Sequence, residues 1–361
     1  MKRLKVASVV LLALALVFLC GGFSAASAQQ KLFELNTSWQ PEHESFYMWY
    51  AIQKGWDKEE GLAIKMHYFD SGMAQWEALP AGQWVLGGLG GVPMVVGAIR
   101  YGAYLIGIGK DESITNVVMV RPDSPIMKVK GWNKKYPELY GSPELIKGKT
   151  ILVTTVSSGH YAMSLWLKAF GLKDSDVVVK NMDQAQCVAA FESGVGDMVV
   201  LWAPHQFTGM AKGWKIAGDV KTAGAALPLV LTGEKKFCDQ NPQIVAKFLR
   251  IYLRGINLKN KEGNKLLPDY KRFYKEWAGM DLSDDMLKMD FEWSPVFNYA
   301  EQLKLFKKPA KGGDSTVESW QRIITESFTT LGRFKPEERD KALKTPYITD
   351  KFLKMVKQPI P

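Results

Sequence analysis

The sequence is poor in the residues on which most enzyme and metal sites depend. It has four histidines and three cysteines among 361 residues. The histidines do not have metal-ligand spacing, and no C-x-x-C pair, G-x-S-x-G elbow or phosphate-binding loop occurs. Ser157 and His160 lie three positions apart, without an evident third partner for nucleophilic catalysis. We therefore predict a protein that is not an enzyme and needs neither a metal nor a cofactor.

The apolar run near the N-terminus is too short to cross a membrane. It extends from Val6 to Leu19, whereas a spanning helix needs about 20 residues. Basic residues precede the run, and the small residues Ala26-Ser27-Ala28 follow it. This order predicts a secretory signal peptide, residues 1–28, that is cleaved after Ala28 and directs the protein to the periplasm. Lipid attachment at Cys20 is the alternative, but a large residue, Leu19, stands where that modification prefers a small one.

The positive charge of the chain does not indicate a nucleic-acid partner. The formal net charge is +10, and it falls to +7 without Lys2, Arg3 and Lys5 of the signal. The remaining basic residues are dispersed, and none of the segments interleaves them with stacking aromatic residues. We predict no nucleic-acid binding. Cys187 and Cys238 fall in different predicted lobes, and whether they pair is left open.

Short apolar runs alternate with helical patterns along two blocks of the chain, which predicts βα units and mostly parallel sheets. The first block has strands near 32–35, 62–69, 84–89 and 104–108, and the second has strands near 150–155, 177–179 and 197–201. A further apolar run at 227–231 precedes a helical C-terminal third.

The two blocks predict two α/β lobes with a cleft between them. We expect crossings near Val117–Arg121 and Ala226–Leu231, so that residues 29–121 and 227–361 form lobe 1 and residues 122–226 form lobe 2. Ligands of open α/β sheets bind at the carboxyl ends of the strands. Two facing lobes would place two such edges around one cleft.

An ordered series of motifs within residues 32–260 resembles the nitrate/sulfonate/taurine type of periplasmic binding proteins of ABC transporters. The segments that carry the resemblance are Trp39-Gln40-Pro41, Ala51–Trp56, Glu59–Leu62, Phe69–Gly72, Glu77–Gly82, Gly87–Pro93, Lys147–Thr150, Ser157–His160, Ala189–Gly194, Trp202-Ala203-Pro204 and Pro242–Arg250. The chain departs from this family in Gln83, where an acidic residue is usual, and in a longer segment at 126–147. The resemblance implies a two-lobed type II binding-protein fold with two hinge crossings.

The candidate ligand site combines turns from both predicted lobes. Ser157-Ser158 is the strongest candidate, because a serine turn at the start of a helix offers hydroxyl and N–H donors to an anion; a plain helix cap is the alternative. The other tryptophans near the cleft, Trp76 and Trp84, hint at a ligand with an apolar or cationic part, unless they are core residues. The full predicted set is Trp39, Gln40, His43, Ser71, Gly72, Gly90, Gly91, Ser157, Ser158, His160, Trp202 and Pro204.

We predict an extracytoplasmic solute-binding component of an ABC uptake transporter. As a monomer, it would close on a small anion or zwitterion, such as a sulfonate, taurine or nitrate, and deliver it to a membrane permease. The alternatives are a sensor that presents solute to a receptor, and an enzyme of the thiamine-pyrimidine synthase branch of the same fold. The sequence does not identify the ligand.

Overall fold

Two five-stranded β-sheets form the framework of the protein. The structure is a computed structural model and describes residues 31–361, so that the predicted signal peptide, residues 1–28, lies outside the described residues. Both sheets belong to one compact unit, Glu34–Pro361. In that described part of the chain, none of the helices combines the length and the apolar character that a membrane crossing requires.

The first sheet has the strand order β2-β1-β3-β10-β4 and defines lobe 1. Strands β1 and β3 are parallel, while β10 runs antiparallel to its neighbours β3 and β4. The inner strand β10, between β3 and β4, is buried almost along its whole length, as its apolar sequence predicts. The strands are β1 (Phe33–Trp39), β2 (Leu62–Tyr68), β3 (Leu86–Gly90), β4 (Ala103–Asp111) and β10 (Pro228–Glu234).

The second sheet has the order β7-β6-β8-β5-β9 and defines lobe 2. Strands β7, β6 and β8 are parallel, and β5 runs antiparallel between β8 and β9. Four of the five strands therefore point the same way. The strands are β5 (Asn116–Val120), β6 (Thr150–Val153), β7 (Val178–Asn181), β8 (Met198–Trp202) and β9 (Lys215–Asp219).

Helices cover both sheets, and most of those after residue 235 surround lobe 1. The amphipathic helix α10 starts with Pro242 at its first turn, as the sequence predicts. The helices are α1 (His43–Gln53), α2 (Trp56–Glu59), α3 (Gly72–Ala78), α4 (Gly91–Val96), α5 (Pro143–Ile146), α6 (Ser158–Ala169), α7 (Gln184–Glu192), α8 (His205–Ala211), α9 (Lys235–Gln240), α10 (Pro242–Glu262), α11 (Leu267–Glu276), α12 (Asp284–Trp293), α13 (Tyr299–Phe306), α14 (Thr316–Thr330), α15 (Pro336–Lys344) and α16 (Lys351–Lys354).

The chain changes sheet twice, between β4 and β5 and between β9 and β10. The first change falls at residues 112–115, one strand earlier than the crossing expected near Val117–Arg121. The reason is that residues 116–120 pair with β8 and β9 of the second sheet. The second change, at residues 220–227, reaches the predicted region around Ala226. This topology places residues 116–120 with the second sheet, whereas the predicted lobe 1 boundary at residue 121 had assigned them to lobe 1.

The long segment at 126–147 packs on lobe 2. Ile126, Leu139 and Ile146 belong to the core of that lobe, and the Trp132 ring lies 6.0 Å from the Phe170 ring. The segment therefore extends the lobe rather than the linker. Cys187 and Cys238 lie apart in α7 and α9 as free, buried thiols.

Candidate functional site

The carboxyl ends of strands from both sheets meet around a small cavity between the lobes. Its volume is about 20 Å³, close to that of one water-sized sphere. Lobe 1 contributes the segments that follow β1, β2, β3 and β4, and lobe 2 contributes the start of β5, the end of β8 and the start of α6. The lining residues are Gln40, Glu42, Gly72, Gly90, Pro93, Glu112, Asn116, Ser157, Ser158 and Trp202.

The two lobes touch directly at this cavity. The Ser158 hydroxyl of lobe 2 donates a hydrogen bond of 2.6 Å to Glu112 Oε1, at the end of the lobe 1 strand β4. A Cβ atom placed on Gly90 would lie only 2.3 Å from Ser158 Oγ. Glycine at position 90 is therefore what allows the end of β3 to approach α6. The site is complete only while the lobes are together.

Carboxyl groups dominate the charge around the cavity. Glu42 and Glu112 line it, and Glu44 lies buried behind them. The Lys110 ammonium is the neighbouring cation, with Nζ 3.4 Å from Glu42 Oε2 and 3.9 Å from Glu44 Oε2. All four side chains are almost fully buried. One buried cation thus faces three buried carboxyl groups.

Burial and the interactions among these groups raise the pKa values of all four side chains. Loss of solvent and the nearby Glu44 raise the pKa of Glu42 well above its ordinary value, and burial raises the pKa of Glu44 to about 7. Burial also raises the pKa of Glu112. Burial opposes the charge of Lys110, but Glu42 and Glu44 outweigh it and raise the Lys110 pKa. The raised carboxyl pKa values reflect the cost of burying three acidic groups beside a single cation.

The predicted contact residue Trp39 lies in the core of lobe 1. Its side chain is fully buried, with the ring stacked on those of Phe248 and Tyr252 at 6.0 and 6.1 Å. Its indole N–H donates to Thr37 Oγ1 at 2.8 Å, and the absent side chain of Gly88 leaves room for the ring. Trp76 and Trp84 are likewise fully buried, with ring centroids 5.2 Å apart.

The ring of the predicted contact residue His43 is held in a buried polar network and is not part of the cavity lining. Its Nε2 lies 2.6 Å from the Tyr47 hydroxyl and its Nδ1 lies 2.9 Å from the Tyr270 hydroxyl. Tyr270 in turn donates to Asp290. The Lys259 ammonium lies 3.2 Å from His43 Nε2, and burial lowers the Lys259 pKa to about 7. Burial, reinforced by Lys259, lowers the pKa of His43 and keeps the imidazole neutral.

Both serine hydroxyls of the turn before α6 are committed to protein acceptors. Ser157 donates to the Thr154 carbonyl at 2.6 Å and accepts a bond from the His160 amide, as a helix cap does. Ser158 donates to Glu112, as described above. The turn lies at the cavity, but its hydroxyls are not free donors for an anion.

His160 supports this turn from behind. It is fully buried; its Nε2 lies 2.7 Å from Asp174 Oδ2, and its Nδ1 accepts from the Val156 amide at 3.1 Å. Val156 is held at a φ of 56°, a left-handed conformation that is costly for a β-branched residue. His160 thus positions the serine turn and does not line the cavity.

The remaining predicted residues divide between lining and support. Gln40, Gly72, Gly90 and Trp202 line the cavity. Ser71 caps α3 through its hydroxyl, which accepts from the Ala74 amide. Gly91 allows close packing, because a Cβ there would lie 2.8 Å from the Pro228 carbonyl oxygen. Pro204 precedes α8 as its N-cap residue, outside the lining. Ser71, Gly91 and Pro204 thus adjoin the cavity lining without being part of it, and their contact with a solute stays a prediction.

The sequence-based set omitted four lining residues, namely Glu42, Glu112, Asn116 and Pro93. The signal for Glu112 was present, since Lys110-Asp111-Glu112 follows the apolar run of β4 directly and so stands at the carboxyl end of a strand. Asn116 was missed because β5 was not recognised. Within residues 31–361, no three Asp, Glu, His or Cys side chains are grouped as ligands for a metal ion.

Residues 40–261 match the NMT1/THI5-like protein family. The chain belongs to this family. The predicted resemblance to ABC-transporter binding proteins is confirmed by relatives of this NMT1/THI5-like protein. One, from Brachyspira hyodysenteriae, is named as an ABC transporter periplasmic binding protein and is 29% identical over 289 residues, which are 78% of this chain and 81% of the relative. The taurine-binding periplasmic protein of Escherichia coli is 27% identical over 54% of this chain and 56% of its own length.

Solved structures show the same fold and confirm the predicted two-lobed α/β architecture. The aliphatic sulphonate-binding protein of Escherichia coli has a TM-score of 0.65 at 18% identity, covering 87% of this chain and 99% of that protein. The nitrate-binding protein of Synechocystis PCC 6803 has a TM-score of 0.66 at 10% identity, covering 90% and 88%. This NMT1/THI5-like protein therefore has the fold of periplasmic binding proteins.

Proposed function

We propose that this protein is the solute-binding component of an ABC uptake transporter. It captures a small solute between its lobes and delivers it, as a monomer, to a membrane permease. Membership of the NMT1/THI5-like family and relatives named as periplasmic binding proteins support this function. A location outside the cytoplasm, after cleavage behind Ala28, completes the proposal.

The observation that carries the proposal is the cavity lined from both lobes. A solute that touches Glu42 and Gly72 on one side and Ser157 and Trp202 on the other interacts fully only with the closed form. Such differential contact shifts the equilibrium toward closure. Because the closed cavity measures about 20 Å³, the lobes must separate around residues 112–115 and 220–227 to admit a larger solute.

The solute class was predicted as an anion or a zwitterion of the sulfonate, taurine or nitrate kind. Relatives are named for aliphatic sulfonates and for taurine, and this supports a small polar solute. Whether a plain anion or an amine-bearing solute fits the cavity better depends on the charge and hydrogen bonding of the side chains that line it.

Solute-driven closure provides the test of this function. Protein unfolded, dialysed and refolded to remove bound solute is screened by thermal shift against sulfonates, nitrate, amino acids, amines and fractionated cell extract. A solute at 100 times its dissociation constant adds about 2.7 kcal/mol of apparent stability. We expect at least one to raise the melting temperature and to reduce the radius of gyration in X-ray scattering. If no compound in the screen and no fraction of the cell extract raises the melting temperature or reduces the radius of gyration, the protein is not a solute receptor.

A further inference from the structure

The serine hydroxyls and an Asn116 side-chain N–H at the cavity already donate to acceptors within the protein. Ser157 donates to Thr154 O and Ser158 donates to Glu112 Oε1. The Asn116 side-chain N–H donates to the Glu112 carbonyl at 3.2 Å. An anion entering the closed site would have to take these donors away from buried acceptors, which then lose their partners.

Two hydrogen-bond acceptors at the cavity, in contrast, have no hydrogen-bond donor within the described part of the chain. Across residues 31–361, the buried atoms without a hydrogen bond include the acceptors Asn116 Oδ1 and Glu42 Oε2. The Lys110 ammonium is also without a hydrogen bond, and its Nζ forms an ion pair with Glu42 Oε2 at 3.4 Å. The Glu112 carboxylate shares one oxygen with Ser158. Buried acceptors of this kind are costly unless a donor reaches them. The side-chain chemistry of the site therefore calls for a ligand that brings N–H groups.

The charge balance points in the same direction. Glu42, Glu44 and Glu112 surround one cation, Lys110, and all four are nearly fully buried. A positive group between Glu42 and Glu112 is attracted to their ionised forms and favours them over the protonated ones, whereas a nitrate or sulfonate oxygen there is repelled by ionised carboxylates. The Trp202 ring, also in the lining, is suited to contact with a cation.

We propose that the cleft selects a solute with a protonated organic nitrogen, an ammonium or amidinium group, and seats that nitrogen between Glu42 and Glu112. This inference rests on the proposed function and names its substrate class. Among the classes predicted from the sequence it favours an amine-bearing zwitterion over a plain anion. Asn116 Oδ1 accepts a second N–H, and Ser158 closes lobe 2 over the group.

Calorimetric titration of the refolded full chain with matched pairs of probes tests whether a protonated nitrogen strengthens binding. The first pair is 2-aminoethanesulfonate and 2-hydroxyethanesulfonate, and the second is benzamidine and benzamide. Nitrate and ethanesulfonate serve as plain anions. We expect a nitrogen cation to bind about 100-fold or more tightly than its uncharged partner, because the partner leaves the buried carboxylates unpaired.

Two isosteric variants and a control locate the effect. Glu112→Gln and, separately, Glu42→Gln keep the shape of the side chain but remove the charge, and each should lower the preference within a pair at least about tenfold. Glu337→Gln, at an exposed position on α15, should leave the preference unchanged. If one variant fails to fold, the other variant and the wild-type pairs still give the result.

The outcomes separate this inference from the proposed function. If nitrate, a sulfonate or an uncharged partner binds as tightly as the cationic probe, the inference is overturned while solute binding stands. The inference also fails if a cell-extract solute without a protonated nitrogen closes the lobes. If none of the probes or extract solutes binds the protein or closes the lobes, both the proposed solute-binding function and this inference are wrong.

Discussion

Lys110 is the residue on which the charge of the cleft depends. Its ammonium lies between Glu42 and Glu44, with all three side chains nearly fully buried. Removal of one partner from a buried ion cluster leaves uncompensated charge, which costs more than loss of an exposed pair. The ion pair of Lys65 with Glu34 has the same chemistry on the surface, since both side chains are more than half exposed.

The variant Lys110→Met should lose about 3–5 kcal/mol of stability at pH 8 and less at pH 5. The pKa values of the buried carboxyl groups are higher in the folded protein than in the unfolded chain. The stability that this difference contributes is present at low pH and is lost as the pH rises through the folded-state pKa, which is about 7 for Glu44. Without Lys110 these pKa values rise further, so the loss grows across that range. Urea unfolding at both pH values provides the measurement.

The control for this prediction is Lys65→Met, which should change stability by less than about 1 kcal/mol at either pH. An equal loss for Lys110→Met at pH 5 and pH 8 would mean that Lys110 contributes by packing and not by charge.

At the scale of elements, the contact between the end of β3 and the start of α6 controls closure. Gly90 has ordinary extended backbone, with φ of −63° and ψ of 154°, so alanine fits its conformation. The added Cβ would nevertheless lie 2.3 Å from Ser158 Oγ. Either Ser158 turns away from Glu112 or the lobes stay apart, and in both cases the hydrogen bond between the lobes is lost.

The variant Gly90→Ala should therefore weaken solute binding about tenfold to 100-fold, the range for a hydrogen bond to a charged group, while each lobe stays folded. Titration with the solute found in the thermal-shift screen measures the change. Gly255→Ala is the matched control, because its Cβ would meet Tyr47 at 2.9 Å within lobe 1. The control should lower the melting temperature with little effect on affinity. Wild-type affinity in Gly90→Ala would show that this contact does not limit closure.

Particular elements show how far the sequence predicts the fold. The βα alternation predicted β1–β4, β6–β8 and β10, because buried strands and amphipathic helices leave a clear pattern. Strands β5 and β9 were missed: residues 116–120 were taken for a crossing, since pairing with distant β8 leaves no local signal. The position of the Trp39 side chain could not be predicted, because a residue at the end of a strand can point into the lobe or into the cleft. The packing of its ring on Phe248 and Tyr252 places it in the lobe.

At the scale of the whole molecule, contacts from the C-terminal helices join the lobes on another side. Phe328 of α14 packs against His160 and Tyr161 of α6, with ring centroids 5.5 and 6.3 Å apart. The Arg333 guanidinium lies 3.8 Å from Asp174. These residues adjoin the helix that carries Ser157 and Ser158. Movement of lobe 2 therefore has to be accommodated by the C-terminal third as well as by the two crossings.

The central claim is that a solute bridges the lobes through a protonated nitrogen held by Glu42 and Glu112. A crystal structure of the protein with the tightest-binding solute tests it most directly. We predict that the solute nitrogen lies within about 2.7–3.2 Å of both carboxylates, with Trp202 and Ser158 closing from lobe 2. A solute bound elsewhere, or one that turns anionic oxygens toward Glu42 and Glu112, would contradict it.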